Sequence, residues 1–183
     1  MKKKILLGIG ILFIVLIAYI VYALFIATPV SPPATVSFNE DGLEITIDYS
    51  QPSKKGRLIF GEESEQALQP YGKYWRLGAN AATEITFNKD VNFGGKAVSA
   101  GTYRMYAIPG PEAFKVILNS ETGVFFGAVE PDYELDVVAV DAPVEKSASI
   151  VEIFTIGFMP NDGGTTIHFS WDDVMFTVPV SVQ

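Results

Sequence analysis

LEITIDY, Leu43 to Tyr49, alternates strictly: Leu43, Ile45, Ile47 and Tyr49 fall on one face, Glu44, Thr46 and Asp48 on the other. A period of two marks a half-buried strand in an antiparallel sheet, with one face on a core and one in water. The pattern recurs in TEITFN (Thr83 to Asn88), TYRMYAI (Thr102 to Ile108), AFKVILN (Ala113 to Asn119) and TTIHFSW (Thr165 to Trp171). Turn signals punctuate these runs: NEDG from Asn39, GGK from Gly94, SAG from Ser99, PGPE from Pro109 and NDGG from Asn161. About nine or ten short strands at this spacing predict an all-β fold, an antiparallel β-sandwich with jelly-roll-like wiring. The one helical candidate in this region is EESEQALQ (Glu62 to Gln69), which Pro70 stops.

Upstream the chain changes character. Lys2, Lys3 and Lys4 precede an uncharged run from Ile5 to Ala27. As a helix that run is roughly 34 Å long, enough for a bilayer core of about 30 Å. A secretory signal has a shorter apolar region, about 7–15 residues, followed by a small-x-small cleavage site. Here the run is longer, and Phe25 spoils the best cut, after Ala27. The expectation is a single retained transmembrane helix over residues 1–27, with a cleaved signal as the alternative. The lysines place the N-terminus in the cytoplasm and the C-terminal domain in the periplasm or outside the cell. Tyr19 and Tyr22 then approach the outer interface, and the absence of GxxxG spacing gives the helix no dimerisation signal. TPVSPPA (28–34) reads as an extended, proline-rich stalk of roughly 20 Å, and residues 35–183 as one domain.

Three of the 13 basic residues are those N-terminal lysines, so the remainder sets ten basic against 21 acidic residues, a net charge of −11. Such a surface repels phosphate backbones, which argues against nucleic acid as a partner. With no cysteine in the chain, the domain has no disulfide or thiolate and is held by packing alone. An outer domain of that kind fits a bacterial envelope.

Obvious catalytic groups are scarce. His168 is the sole histidine and sits with Thr166 and Ser170 on the polar side of its strand, so it suggests neither a His-rich zinc site nor a Ser-His-Asp set. EPDYELD (Glu130 to Asp136) and the pair Asp172, Asp173 are rich in acids. A glycosidase-like pair needs two carboxyls across a cleft, which sequence does not show, and solvated turns are the simpler use. NEDG and PNDGG do not fit the twelve-residue calcium loop. No catalytic residue, metal ligand or cofactor is assigned.

YGKYWRLGANAATEITF, Tyr71 to Phe87, stands apart. Tyr71, Tyr74 and Trp75 supply flat apolar faces, Arg76 a fixed fork of donors, and Asn80 an amide that donates and accepts. Gly78 permits a sharp turn or a close approach. These five side chains form the candidate ligand site, suited to a sugar, a peptide or a carboxylate. The alternative is scaffold: Trp75 in the core, Arg76 paired with a buried Asp48, Asn80 capping a turn.

Four segments together, IDYSQPSKKGRLIFG (Ile47 to Gly61), PYGKYWRLGANAATEITF (Pro70 to Phe87), AGTYRMYAIPG (Ala100 to Gly110) and FSWDDVMFTVPV (Phe169 to Val180), resemble the domain of unknown function 2911 family of bacterial envelope proteins. The resemblance implies an extracytoplasmic, mainly β domain and brings no established activity, cofactor or catalytic residue. Relatives usually carry Arg where Gln51 precedes Pro52, and many have a cleaved signal where this chain has its long apolar run.

The leading expectation is therefore a membrane-tethered binding or accessory module of the envelope, partnered by the membrane through its helix and by a glycan, peptide or protein through Arg76, Trp75 and Asn80. One alternative is a hydrolase of envelope sugars or peptides using acids such as Glu84 or Asp172. The other is a structural subunit of a larger membrane complex.

Overall fold

Leu43, Ile45, Ile47 and Tyr49 are all buried on the inner side of their strand, as the alternation requires. The computed structural model describes residues 2–25 and 30–183, with side chains described over 8–21 and from residue 30 onward. Contacts divide the chain between Val30 and Ser31.

The first unit is one helix, α1 (Lys2–Phe25), whose side chains from Ile9 to Val21 are exposed. Among the described residues no helix is long and apolar enough to cross a membrane. The end of the expected anchor, Ile26 and Ala27, and the start of the expected stalk, Thr28 and Pro29, lie outside the described residues.

The second unit is built from β1 (Pro33–Glu40), β2 (Leu43–Ser50), β3 (Phe60–Gly61), β4 (Gln69–Pro70), β5 (Thr83–Phe87), β6 (Val91–Phe93), β7 (Lys96–Val98), β8 (Gly101–Ile108), β9 (Ala113–Asn119), β10 (Asp136–Pro143), β11 (Glu145–Asn161) and β12 (Gly164–Val182). A six-stranded sheet runs β1-β2-β5-β8-β9-β10 and a four-stranded one β11-β12-β6-β7, both antiparallel and both open. The two-residue strands β3 and β4 make a small parallel pair. The large sheet is close to a sequential meander, so the expected jelly-roll-like wiring is not found among the described strands.

The inner faces of the two sheets share one core, with aromatic rings at its centre. Trp75 stacks on Trp171 with centroids 5.9 Å apart, Phe169 stacks on Phe176 at 4.7 Å, and Phe114 of the large sheet meets Phe176 of the small one at 4.7 Å. Aromatic pairs at such separations add about 0.5–1.5 kcal/mol each beyond their buried area. That packing stands in for the missing disulfides.

Two boundaries differ from the sequence reading. Pro33 and Ala34, expected in the stalk, pair with Ser50 and Tyr49 as the start of β1, so the folded unit begins at Ser31 rather than Thr35. The expected helix at Glu62–Gln69 reduces to a single 3-10 turn, Glu63–Glu65, closed by Glu62 N–H donating to Glu65 Oε2 at 2.9 Å. With five acids or amides and no apolar stripe, that segment had no helical face to bury.

β12 is also longer than the expected Thr165–Trp171 strand. Inward residues are odd-numbered through Trp171 and even-numbered from Val174 on. Asp172, at φ 60°, absorbs the one-residue slip as a bulge, and the pairing with β11 shifts register on either side of it. The strand thereby pairs with β11 between Gly164 and Met175 and with β6 through its last three residues.

Candidate functional site

The candidate stretch begins where β4 ends. Ahead of β5 in the chain, Trp75 exchanges both backbone hydrogen bonds with Ala107 of β8, each 2.8 Å long. That bridge turns the Trp75 ring into the core, where 2 % of it remains accessible. Trp75 is therefore scaffold, not an open stacking platform. Next come Leu77 (φ 51°), Gly78 (φ 153°) and Asn80 (φ 59°), a tight reversal of left-handed backbone. Gly78 is required there, because a Cβ would lie 2.8 Å from Ser50 O. Thr83 Oγ1 donates to Leu77 O at 2.8 Å and braces the turn.

Asn80 Nδ2 donates to Ser31 O at 2.9 Å and to Ser50 Oγ at 3.3 Å, which fastens the start of the folded unit. Its amide serves the turn. Tyr71 packs half-buried against the core. Tyr74 is half-buried too: its hydroxyl donates to Gly127 O at 2.8 Å and accepts from Arg104 Nη2 at 2.6 Å. Burial raises the pKa of that hydroxyl, with Arg104 opposing.

Arg76 is the exception. The expected pairing with Asp48 does not occur: Asp48 lies exposed on β2 and accepts from Thr35 Oγ1 at 2.5 Å. Among the described residues the half-buried Arg76 guanidinium makes no hydrogen bond and no ion pair. Burial lowers its pKa, with only Tyr74 opposing. It lines a shallow pocket of about 250 Å³ together with Leu68, Gln69, Tyr74, Ala128 and the edge of Trp75. Of the five expected site residues, the fold brings Tyr74, Trp75 and Arg76 to this pocket and leaves Tyr71 and Asn80 out of it.

Behind the pocket lies a polar cluster that sequence reading missed. Arg104 on β8 faces away from the core, yet it is wholly buried because residues 120–135 cross over the outer face of β8 and β9. Its Nη1 donates to Glu121 Oε2 at 2.6 Å, its Nη2 also to Val129 O, and its guanidinium sits 5.4 Å from the Tyr74 ring centre. Beside it Tyr106 donates to Asp136 at 2.8 Å, and Asn119 Nδ2 donates to Asp136 Oδ1 and Asp132 O, both at 2.8 Å. Burial, then the bond to Asp136, raises the Tyr106 pKa. The signal for this cluster was the length of the connection between β9 and β10, longer than loops without a role usually run.

The acids considered for hydrolysis lie on different sheets. Glu84 of β5 accepts from Gly123 N at 2.5 Å, and Asp172 of β12 is paired with Lys54. Among the described residues no group of three or more His, Asp or Glu is placed to hold a metal.

These observations define an open β domain of two main antiparallel sheets, with the Arg76 guanidinium in a shallow pocket and without a partner among the described residues. The chain belongs to the DUF2911 family, whose members are described as proteins of unknown function; the family model matches residues 31–180. No curated protein and no solved structure matches it.

Proposed function

We propose that this chain is a membrane-tethered, extracytoplasmic binding or accessory module of a bacterial envelope, an open β-sandwich that takes an anionic group on Arg76. The observation that carries this reading is the half-buried Arg76 guanidinium with no partner among the described residues. A charge that has lost part of its hydration without gaining a hydrogen-bonded counter-charge is costly, so an anionic ligand there recovers strong, charge-assisted bonds. A pocket near 250 Å³ falls below the roughly 300–1,000 Å³ of drug-sized sites. It suits the carboxylate end of a peptide or one acidic sugar, with Gln69 beside it as an additional donor. The tether rests on the uncharged run Ile5–Ala27 behind three lysines and on a helix that is apolar all round and exposed from Ile9 to Val21.

The test is a titration of the full chain in detergent with a tripeptide, its C-terminal amide, and glucuronate, read at the Arg76 Nε–H resonance. The free carboxylates should shift that resonance and the amide should not. Equal response to tripeptide and amide, or none to any of the three, rejects an anion site at Arg76.

A further inference from the structure

The most exposed aromatic side chains of the folded unit are neighbours, Phe125 at 79 % and Phe126 at 63 % accessibility. They form the tip of a loop that is pinned on both sides: Ala82 N donates to Val124 O at 3.0 Å, and Gly127 N donates to Asn80 O at 2.9 Å. Gly127 sits so close to this support that a Cβ would lie 2.5 Å from Ala82 N. Two phenylalanines held outward on a braced loop, without a core to enter, call for an apolar partner.

The same asparagine marks where the tip lies. Asn80 holds Ser31 O through its side chain and Gly127 N through its backbone carbonyl, so two hydrogen bonds separate the Phe tip from the first residue of the folded unit. From Ala27, the end of the apolar run, to Ser31 is at most about 14 Å of chain. From Thr122 to Val129 the loop has no charge; of the acids on either side, Glu121 is held by Arg104 and Glu130 accepts from the Tyr133 hydroxyl at 2.7 Å.

We propose that Phe125 and Phe126 insert into the outer interface of the membrane that carries the tether, docking the domain with its Ser31 end on the lipid. This rests on the tether reading given above. Phenyl rings favour this boundary, about 5–10 Å below the headgroups, and an uncharged tip avoids the repulsion that a net charge of −11 meets at anionic lipid.

Both native tryptophans emit but are buried in the core, out of reach of brominated acyl chains, so bromine quenching beyond that of the parent protein reports the introduced indole. Full-length Phe126→Trp, with Phe125→Trp as a second probe, is reconstituted into phosphatidylcholine vesicles with and without bromine near the top of the acyl chains. Met159→Trp serves as the control: it lies near the β11–β12 turn, whose Asn161 and Gly163 line one pocket with Asp41 of the β1–β2 turn, at the far end of β1 from Ser31. The expected result is flotation of the protein with the vesicles, with bromine quenching the tip indole, as a ring at that depth requires, and sparing Met159→Trp. Flotation without quenching at either tip position overturns insertion and leaves the tether standing. Failure to float, with an unquenched tip, overturns both. A blue shift that follows protein concentration and ignores bromine assigns the tip to a second copy of the chain, and also overturns insertion.

Discussion

Arg104 Nη1 lies 2.6 Å from Glu121 Oε2, yet the two side chains are buried to very different depths, 1 % against 38 % accessible. The pair is therefore not symmetric under mutation. Glu121→Ala leaves a sealed guanidinium with only Tyr74 and Val129 as acceptors and should cost about 3–5 kcal/mol, the range for breaking a buried pair. Arg104→Met keeps an unbranched apolar stem in the site and leaves Glu121 able to rehydrate, so it should cost clearly less. Urea midpoints of the two variants decide the order. Arg104→Met as the more damaging change would mean that the packing under the 120–135 crossing depends on the guanidinium itself.

Substitutions at residues 75 and 76 distinguish scaffold from the proposed site. Trp75→Ala empties the centre of the aromatic core and should destabilise by about 3–5 kcal/mol. Arg76→Ala removes no bond within the described residues and should stay within about 0.5 kcal/mol of the parent. Arg76→Lys keeps the charge, loses the planar fork and should weaken any bidentate carboxylate binding. Thermal melts give the first two results and carboxylate titration the third. Unfolding of Arg76→Ala would make the residue structural and remove the main support for an anion site.

Alternation was a reliable guide wherever one face met the core and the other met water. LEITIDY fits this, with outward Glu44 and Asp48 exposed on β2; AFKVILN fills β9 from the expected residue, although the crossing covers its outward Ile117 and Asn119. It failed where a third layer intervenes. Arg104 and Tyr106 occupy outward positions of β8, and a two-faced pattern assigns them to solvent; the crossing of residues 120–135 buries them. The bulge at Asp172 was hidden for a different reason, since WDD reads as a strand end when the parity change behind it is not followed to Val174. For the candidate site, the residue types singled out one segment, of which the fold brings Tyr74, Trp75 and Arg76 to one pocket. Which of them face inward depended on the Trp75–Ala107 bridge, a contact between positions 32 residues apart that no local pattern encodes.

Gly78 tests the reversal that holds this segment. Alanine there meets Ser50 O at 2.8 Å in a conformation, φ 153°, that L residues rarely adopt. Strain of this kind costs of order 1–3 kcal/mol. Gly78→Ala should therefore lower the melting temperature and loosen Asn80 from Ser31, read as faster amide exchange at Gln51, whose N–H donates to Pro32 O at 2.9 Å. An unchanged melt would show that the backbone relaxes here without penalty.

His168 supplies the pH dependence. It lies opposite Gly157 in the β11–β12 pairing, and a Cβ on that glycine would stand 2.4 Å from His168 Cε1, so the ring fills the space the glycine leaves. Its Nδ1 is buried without a hydrogen-bond partner, and burial lowers its pKa from the ordinary 6.5. The folded state thus binds this proton less readily than the unfolded chain. The resulting stabilisation is fully present above about pH 6.5 and is lost as pH falls through the lowered folded value. His168→Gln removes the titration while nearby carboxylates continue to titrate in both proteins. The stability difference between parent and variant should therefore shift against the parent as pH falls from about 7.5 to about 5, bracketing the usual histidine range. Urea midpoints across that interval measure the difference, and the imidazole resonances of the single histidine give its folded pKa directly. A difference independent of pH, or an imidazole that titrates at or above 6.5, would mean that water reaches the ring over Gly157 and that burial does not govern its charge.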